Sequence, residues 1–239
     1  MARMSRTFGV LSGGLLASAA AWAWRDYHAW LALGKGGLPA NPRGWLHTTR
    51  LRLKMRDPFD LTDVRAVQGR NGDIDTLAGL PRRAAPRPAV DKYPVPHRQM
   101  TQRPDHPHRE ALQAVFDRAA EANADKVNYR LSHFEKHIQA ITVRDPNHVD
   151  PVGGSSRGEI AHIHDADGSM HMILSPTDTV TAIEAGWAQF HGLSGRDHGL
   201  PLTYVMVYGP RTEEGLAVVA RLLDAAIAYM CVTGGGAKA

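Results

Sequence analysis

Cysteine is almost missing from this chain. Cys231 is the single one among 239 residues. No internal disulfide can form, so a disulfide-stapled secreted scaffold is excluded, and a thiolate zinc site has no basis. Nucleotide signatures are missing as well: there is no P-loop and no dinucleotide fingerprint. Ser155 and Ser156 lie near glycines but form no G-x-S-x-G elbow, which leaves a serine hydrolase unsupported. A large surplus of one charge sign is also lacking. The 28 Lys and Arg exceed the 24 Asp and Glu by only four, with a pI near 9.4. That balance suits contact with anionic lipid and is too diffuse to argue for nucleic acid. Zinc-finger spacing, aromatic RNA-binding motifs and internal repeats are absent. The composition, 43% hydrophobic and 22% charged, is that of a folded protein.

The N-terminus carries the one long uncharged run. Phe8 to Trp24 holds no charge, with Arg3 and Arg6 before it and Arg25 and Asp26 after it. A membrane-spanning helix needs roughly 17 to 25 such residues. Trp22, Trp24, Tyr27 and Trp30 cluster at its end, where aromatic rings favour the interface. The expectation is a membrane anchor over residues 1–30, single-pass, in the endoplasmic reticulum. Ala17-Ser18-Ala19 also fits a cleaved signal peptide.

Residues 31–107 read as a basic, proline-rich arm. In "RLRLKMRD", residues 50 to 57, Arg50, Arg52, Lys54 and Arg56 alternate with apolar residues. This predicts an amphipathic strand with a solvated face, or a basic strip against lipid headgroups. Seven of the fifteen prolines fall between residues 81 and 109. Such a segment is extended, and ordered only if it lies on the domain.

Residues 108–233 read as a small, mainly antiparallel sheet packed by helices, an α+β domain; residues 234–239 form a flexible tail. Leu112, Val115, Phe116 and Ala119 recur at helical spacing. "VNYRLSHFEKHIQAITV" predicts one long or two short strands. In "EIAHIH" the period is two, so His162 and His164 share a face. "SMHMIL" places Ser169, His171 and Ile173 together. Asp165, Asp167 and Gly168 between these strands are turn formers, which predicts a β-hairpin with three histidines on one side. Ser175 then caps a helix that ends at Gly186. A loop, "AQFHGLSGRDHGLP", leads to the strand "LTYVMVY". A last helix from near Thr212 buries Leu216, Val219, Leu223, Ile227 and Met230.

Eight of the thirteen histidines lie between residues 133 and 198, more than packing requires. Two imidazoles in H-x-H on a strand stand about 7 Å apart. They can join a third ligand such as His171 or Glu135 around a metal, or line a polar pocket as hydrogen-bonded histidines. Glu135 and His137 form a second i, i+2 pair, suited to a carboxylate orienting an imidazole base or to a solvated strand face. The catalytic candidates are His162, His164, His171, Glu135 and His137. The substrate-binding candidates are Trp187, His191, Tyr208, Arg211 and Asp165; Arg211 can instead pair with Glu213 or Glu214.

Several of these motifs together resemble one family. "EIAHIHD" with the later His171, "EAGWAQFHGLSG", "YVMVYGPRTEEGLAVV" and "AIAYM" follow the order and spacing of the fungal luciferases and their non-luminous relatives. "FEKHIQAI", "RDYHAWL" and "NPRGWL" match upstream, and residues 50 to 80 match least. The resemblance implies oxidation of 3-hydroxyhispidin, a styryl-pyrone, by molecular oxygen through a peroxidic intermediate that loses carbon dioxide. It implies no organic cofactor, a hydroxypyrone or phenolic partner, and membrane lipid at the N-terminal helix. A bound metal is compatible but not favoured. A non-luminous homologue with metal-dependent chemistry, or a binding-only protein, is the alternative.

The chemistry has a physical logic. A hydroxypyrone enolate can give an electron to oxygen unaided. The protein must take the proton, hold the anion and exclude water. A histidine suits the first task, Tyr208 and Arg211 the second, and Trp187 with the hairpin methionines the third.

Overall fold

The predicted hairpin forms, and the rest of the sheet is built on it. In the computed structural model, residues 2–70, 72–145, 151–152, 156–196 and 199–231 are described, with side chains from residue 17 onward. The tail expected at 234–239 lies outside them. Three helices come first: α1 (Ala2–Leu31), α2 (Pro42–Leu51) and the one-turn α3 (Thr62–Arg65). α4 (His106–Ala122) follows the proline-rich arm. β1 (Val127–Leu131), β2 (Gln139–Val143), β3 (Glu159–Ile163) and β4 (Met170–Ile173) then run in succession. α5 (Pro176–Glu184), β5 (Ala188–Phe190), β6 (Tyr204–Val207) and α6 (Glu213–Met230) complete the chain. The six strands pair antiparallel throughout in the order β1-β2-β3-β4-β6-β5.

The helices form where the caps and stripes predict. Asp105 accepts from the His108 amide to start α4, which buries Leu112, Val115, Phe116 and Ala119. The Ser175 hydroxyl accepts from the Asp178 amide to start α5, and Thr212 caps α6 in the same way. α4 and α6 pack together, and α6 lies on β3 and β4. The hairpin turn depends on Gly168. Its φ is +70°, and an added Cβ would sit 2.5 Å from Pro104 Cγ, so any side chain there meets both strain and a clash.

Four expectations need correction. No helix among the described residues is long and apolar enough to cross a membrane. The anchor expected over Phe8–Trp24 falls within α1, where Gly, Ser and Ala dilute the larger apolar residues. The end of α1 instead packs on the protein. Trp30 is buried and donates to Val95 O at 2.8 Å, and Asp26 accepts from Trp45 Nε1 at 2.9 Å and Lys92 Nζ at 2.6 Å. Second, "RLRLKMRD" is no strand. It ends α2 and continues as a 3₁₀ turn, Arg52–Lys54. Arg56 turns inward, its guanidinium 4.1 Å from the Phe190 ring centre, so it is not part of a lipid-facing strip.

Third, Glu135 and His137 lie in the turn between β1 and β2, with Lys136 between them at φ 63°. They share no strand face. Fourth, Ala188–Phe190 forms the short edge strand β5 where only a loop was expected, because its backbone finds β6 as a partner.

Candidate active site

A one-residue irregularity in β3 assembles the site. Thr142 pairs with Glu159 while Ile141 pairs with Ala161, which leaves Ile160 as the extra residue of a bulge. In a regular strand, residues three apart point to opposite faces. The bulge restores Glu159 to the face of His162. Glu159 Oε1 stands 2.6 Å from His162 Nδ1. Across the hairpin, His162 sits directly opposite His171.

Hydrogen bonds fix the ring states. A carboxylate accepts, so His162 donates from Nδ1 to Glu159. The Ser169 hydroxyl donates to Asp167 Oδ1 at 2.7 Å and accepts from His164 Nδ1 at 2.9 Å. Val205 O accepts from His171 Nδ1 at 3.1 Å. Each of the three histidines keeps its Nε2 lone pair. His162 Nε2 and His164 Nε2 are 3.3 Å apart. A ring nitrogen of each of the three lies within 4.8 Å of the others. Glu135 Oε1 is 3.5 Å from His164 Nε2 and accepts from Arg98 Nη1 at 3.1 Å.

A cavity of about 190 Å³ opens beside this cage. His97, His171, His191, Glu135 and Tyr204 form its polar wall, and Phe134 and Leu51 belong to its apolar wall. His97 stacks on His171 with ring centres 5.5 Å apart, and its Nδ1 has no hydrogen-bond partner. His191 differs: Nε2 donates to Pro94 O at 2.9 Å, and Nδ1 accepts from the Leu193 amide at 3.1 Å.

Burial sets the charges. It holds His97, His164 and His171 well below the ordinary histidine value and lowers His191 to about 4. Burial alone would raise the Glu159 carboxyl. Hydrogen bonds from His162, Ser132 and the His133 amide outweigh it and bring that carboxyl below its usual value.

These shifts predict acid sensitivity. His191 titrates near 4 when folded and near 6.5 when unfolded. Between those limits the unfolded chain binds more protons, so stability is present above about pH 6.5 and is lost as pH falls. His191 alone should remove on the order of 3 kcal/mol across that window. Urea midpoints measured at steps below neutrality should fall continuously. A flat profile there would mean that the cage is solvated.

The sequence candidates divide. The structure gathers His162, His164, His171 and Glu135 in one buried cage, with His191 at its edge. His137 is a neighbour only: its Nδ1 donates to Glu135 O at 2.7 Å, and it lines a separate opening with His164 and Asp165. Asp165 itself is an exposed turn residue. Trp187 and Tyr208 are held elsewhere, Trp187 by Pro81 O at 2.7 Å and Tyr208 by Gln189 Oε1 at 2.9 Å. Arg211 is exposed and donates to Gln102 at 3.0 Å, away from the anion-holding place expected for it and from Glu213 and Glu214. Residues without a sequence signal complete the cage: His97 and Arg98 from the arm, Glu159 from the bulge, and Tyr204 from β6.

The comparisons with known proteins place the hairpin within a family match. The Luciferase domain family matches residues 157–226, which contain the hairpin and its histidines. The luciferase of Neonothopanus nambi is 32% identical over 95% of this chain and 88% of its own length. The chain belongs to the fungal luciferase family. The luciferase of Armillaria mellea is 33% identical over 95% of this chain and 92% of its own, and that of Armillaria ostoyae is 33% identical over 93% and 91%. No solved structure matches the chain. The arm that supplies His97 and Arg98 falls within the aligned 95% of the chain.

Proposed function

We propose that this family member is an oxygenase for a hydroxypyrone or related phenolic, using molecular oxygen as co-substrate and no organic cofactor. The observation that carries the reading is the cavity whose wall holds His97, with an unpaired ring nitrogen, beside Glu135 and His171.

The roles follow from what faces the cavity. His97 takes the hydroxyl proton of the substrate. Burial disfavours imidazolium until an anion forms beside it, so proton transfer and charge pairing are coupled. Arg98, neutralised by Glu135, orients that carboxylate. Phe134, Leu51 and Leu193 exclude water from the resulting enolate. The enolate passes an electron to oxygen, the two radicals combine to a peroxide, and the peroxide loses carbon dioxide as it breaks down.

Incubation with 3-hydroxyhispidin in air should consume oxygen and release carbon dioxide, with or without light. Ligand-induced thermal stabilisation without oxygen uptake would mark a binding-only protein. No oxygen uptake with any hydroxypyrone overturns the oxygenase reading.

A further inference from the structure

We propose that His162, His164 and His171 hold a divalent first-row transition-metal ion through their Nε2 atoms, beneath the cavity; this deepens the oxygenase reading of the same cage. The first argument is directional. Three imidazoles are each tied at Nδ1 to an acceptor: a carboxylate, a hydroxyl that is itself bonded to a carboxylate, and a backbone carbonyl. Such outer partners are what fix the tautomer of metal-ligating histidines. One ring nitrogen of each histidine then lies within 4.8 Å of the other two, and His162 Nε2 faces His164 Nε2 directly.

The second argument is the contact between His162 Nε2 and His164 Nε2 at 3.3 Å. Two lone pairs repel at that distance unless something positive lies between them. A proton is the minimal answer, but a neutral His164 carrying it at Nε2 leaves an unprotonated Nδ1 facing the Ser169 oxygen, whose one proton already goes to Asp167. A metal ion answers all three lone pairs together.

The third argument is charge. Glu135, Glu159 and Asp167 are buried around the cage, and Arg98 is the one buried guanidinium bonded to them. Asp167 accepts from the Gln99 amide, the Ser169 amide and the Ser169 hydroxyl, which fixes the hydroxyl behind His164. The cage therefore holds more acidic side chains than buried cations in a desolvated place. Buried charge without compensation is costly, and a dication removes the surplus.

The neighbouring group of His97, His171 and His191 fails the same tests. His191 has both nitrogens engaged, donating to Pro94 O and accepting from the Leu193 amide. Imidazole ligands with no thiolate suit zinc, iron, copper or nickel, and a nearby carboxylate extends the choice to manganese. Glu135, 3.5 Å from His164 Nε2, is placed to orient a ligand or to join it.

The test uses the full-length chain purified without metal-affinity resin. Elemental analysis should find one transition-metal ion per chain. Protein stripped with a chelator should take up Co²⁺ stoichiometrically with visible d–d absorption. His162→Ala and His164→Ala should abolish that uptake, and His106→Ala, at an exposed site in α4, should leave it unchanged. Glu159→Gln keeps an acceptor for His162 and removes the charge, so affinity should weaken about 10- to 100-fold. Wild-type protein gives a measurement that needs no variant: stripping should lower Tm, and adding back Zn²⁺ or Co²⁺ should restore it. Metal-free protein that takes up neither Co²⁺, Zn²⁺, Fe²⁺ nor Mn²⁺ overturns the proposal. So does uptake that survives in both histidine variants. Oxygen uptake by protein that neither holds nor takes up metal removes the metal and leaves the oxygenase reading standing. Stoichiometric metal without oxygen uptake does the reverse.

Discussion

His97→Ala is expected to lower the oxygenation rate about 10²- to 10⁴-fold, the range typical of losing a general base. The reason is the pairing of two facts about one side chain. His97 is buried in the cavity wall, and its Nδ1 has no protein partner. An unpaired buried polar atom costs on the order of 1–3 kcal/mol, so the site holds a group that a bound ligand can satisfy. Removing the ring should relieve that cost, and His97→Ala should fold at least as well as the wild type. The variant therefore separates chemistry from stability. kcat should fall while Tm holds or rises. Added imidazole should restore part of the rate, because the truncation leaves a space next to His171. A variant with wild-type kcat returns the base to another residue of the wall, and Glu135 is then the first to replace.

The order of assembly explains which parts of this site could be read from sequence. His162, His164 and His171 were legible because a strand has a strict period of two, and their turn carried its own signals in Asp167 and Gly168. The helix stripes of α4 and α6 were legible for the same kind of reason. Glu159 was not, because period two places it opposite His162, and only the bulge at Ile160 reverses that. His97 and Arg98 were hidden in an arm with no periodicity. They reach the cage through tertiary contacts: Arg98 meets Glu135 37 residues on, and the Gln99 amide meets Asp167 68 residues on. Glu135 was named, although its strand was not real; a turn brought it to the same place. Asp167 looked like a turn former and is one, but its buried carboxylate also anchors Ser169 and through it His164. Trp187, Tyr208 and Arg211 were assigned by residue type alone, and none of them lines the cavity beside the cage.

Glu159→Ala is expected to destabilise the fold by about 3–5 kcal/mol, the cost of removing one member of a buried pair. The carboxylate is 2% exposed. It accepts from His162 Nδ1 at 2.6 Å, from the Ser132 hydroxyl at 3.0 Å and from the His133 amide. Alanine leaves all three donors without partners and frees the His162 ring to turn over. The effect should be strong because these donors come from two separate elements, the β3 strand and the start of the turn after β1. Glu159 is therefore the tie that holds the turn carrying Glu135 against the hairpin. Glu159→Gln retains one acceptor oxygen and should cost less, about 1–3 kcal/mol. Glu110→Ala, exposed on α4 with only a 3.5 Å contact to His106, should stay within about 0.5 kcal/mol of wild type. Urea unfolding of metal-stripped protein reads these differences without a contribution from a bound ion. Equal midpoints for Glu159→Ala and Glu110→Ala would mean that water reaches the carboxylate and that the cage is not sealed. With the predicted spread, the bulge at Ile160 is confirmed as the feature that turns a plain hairpin into a site.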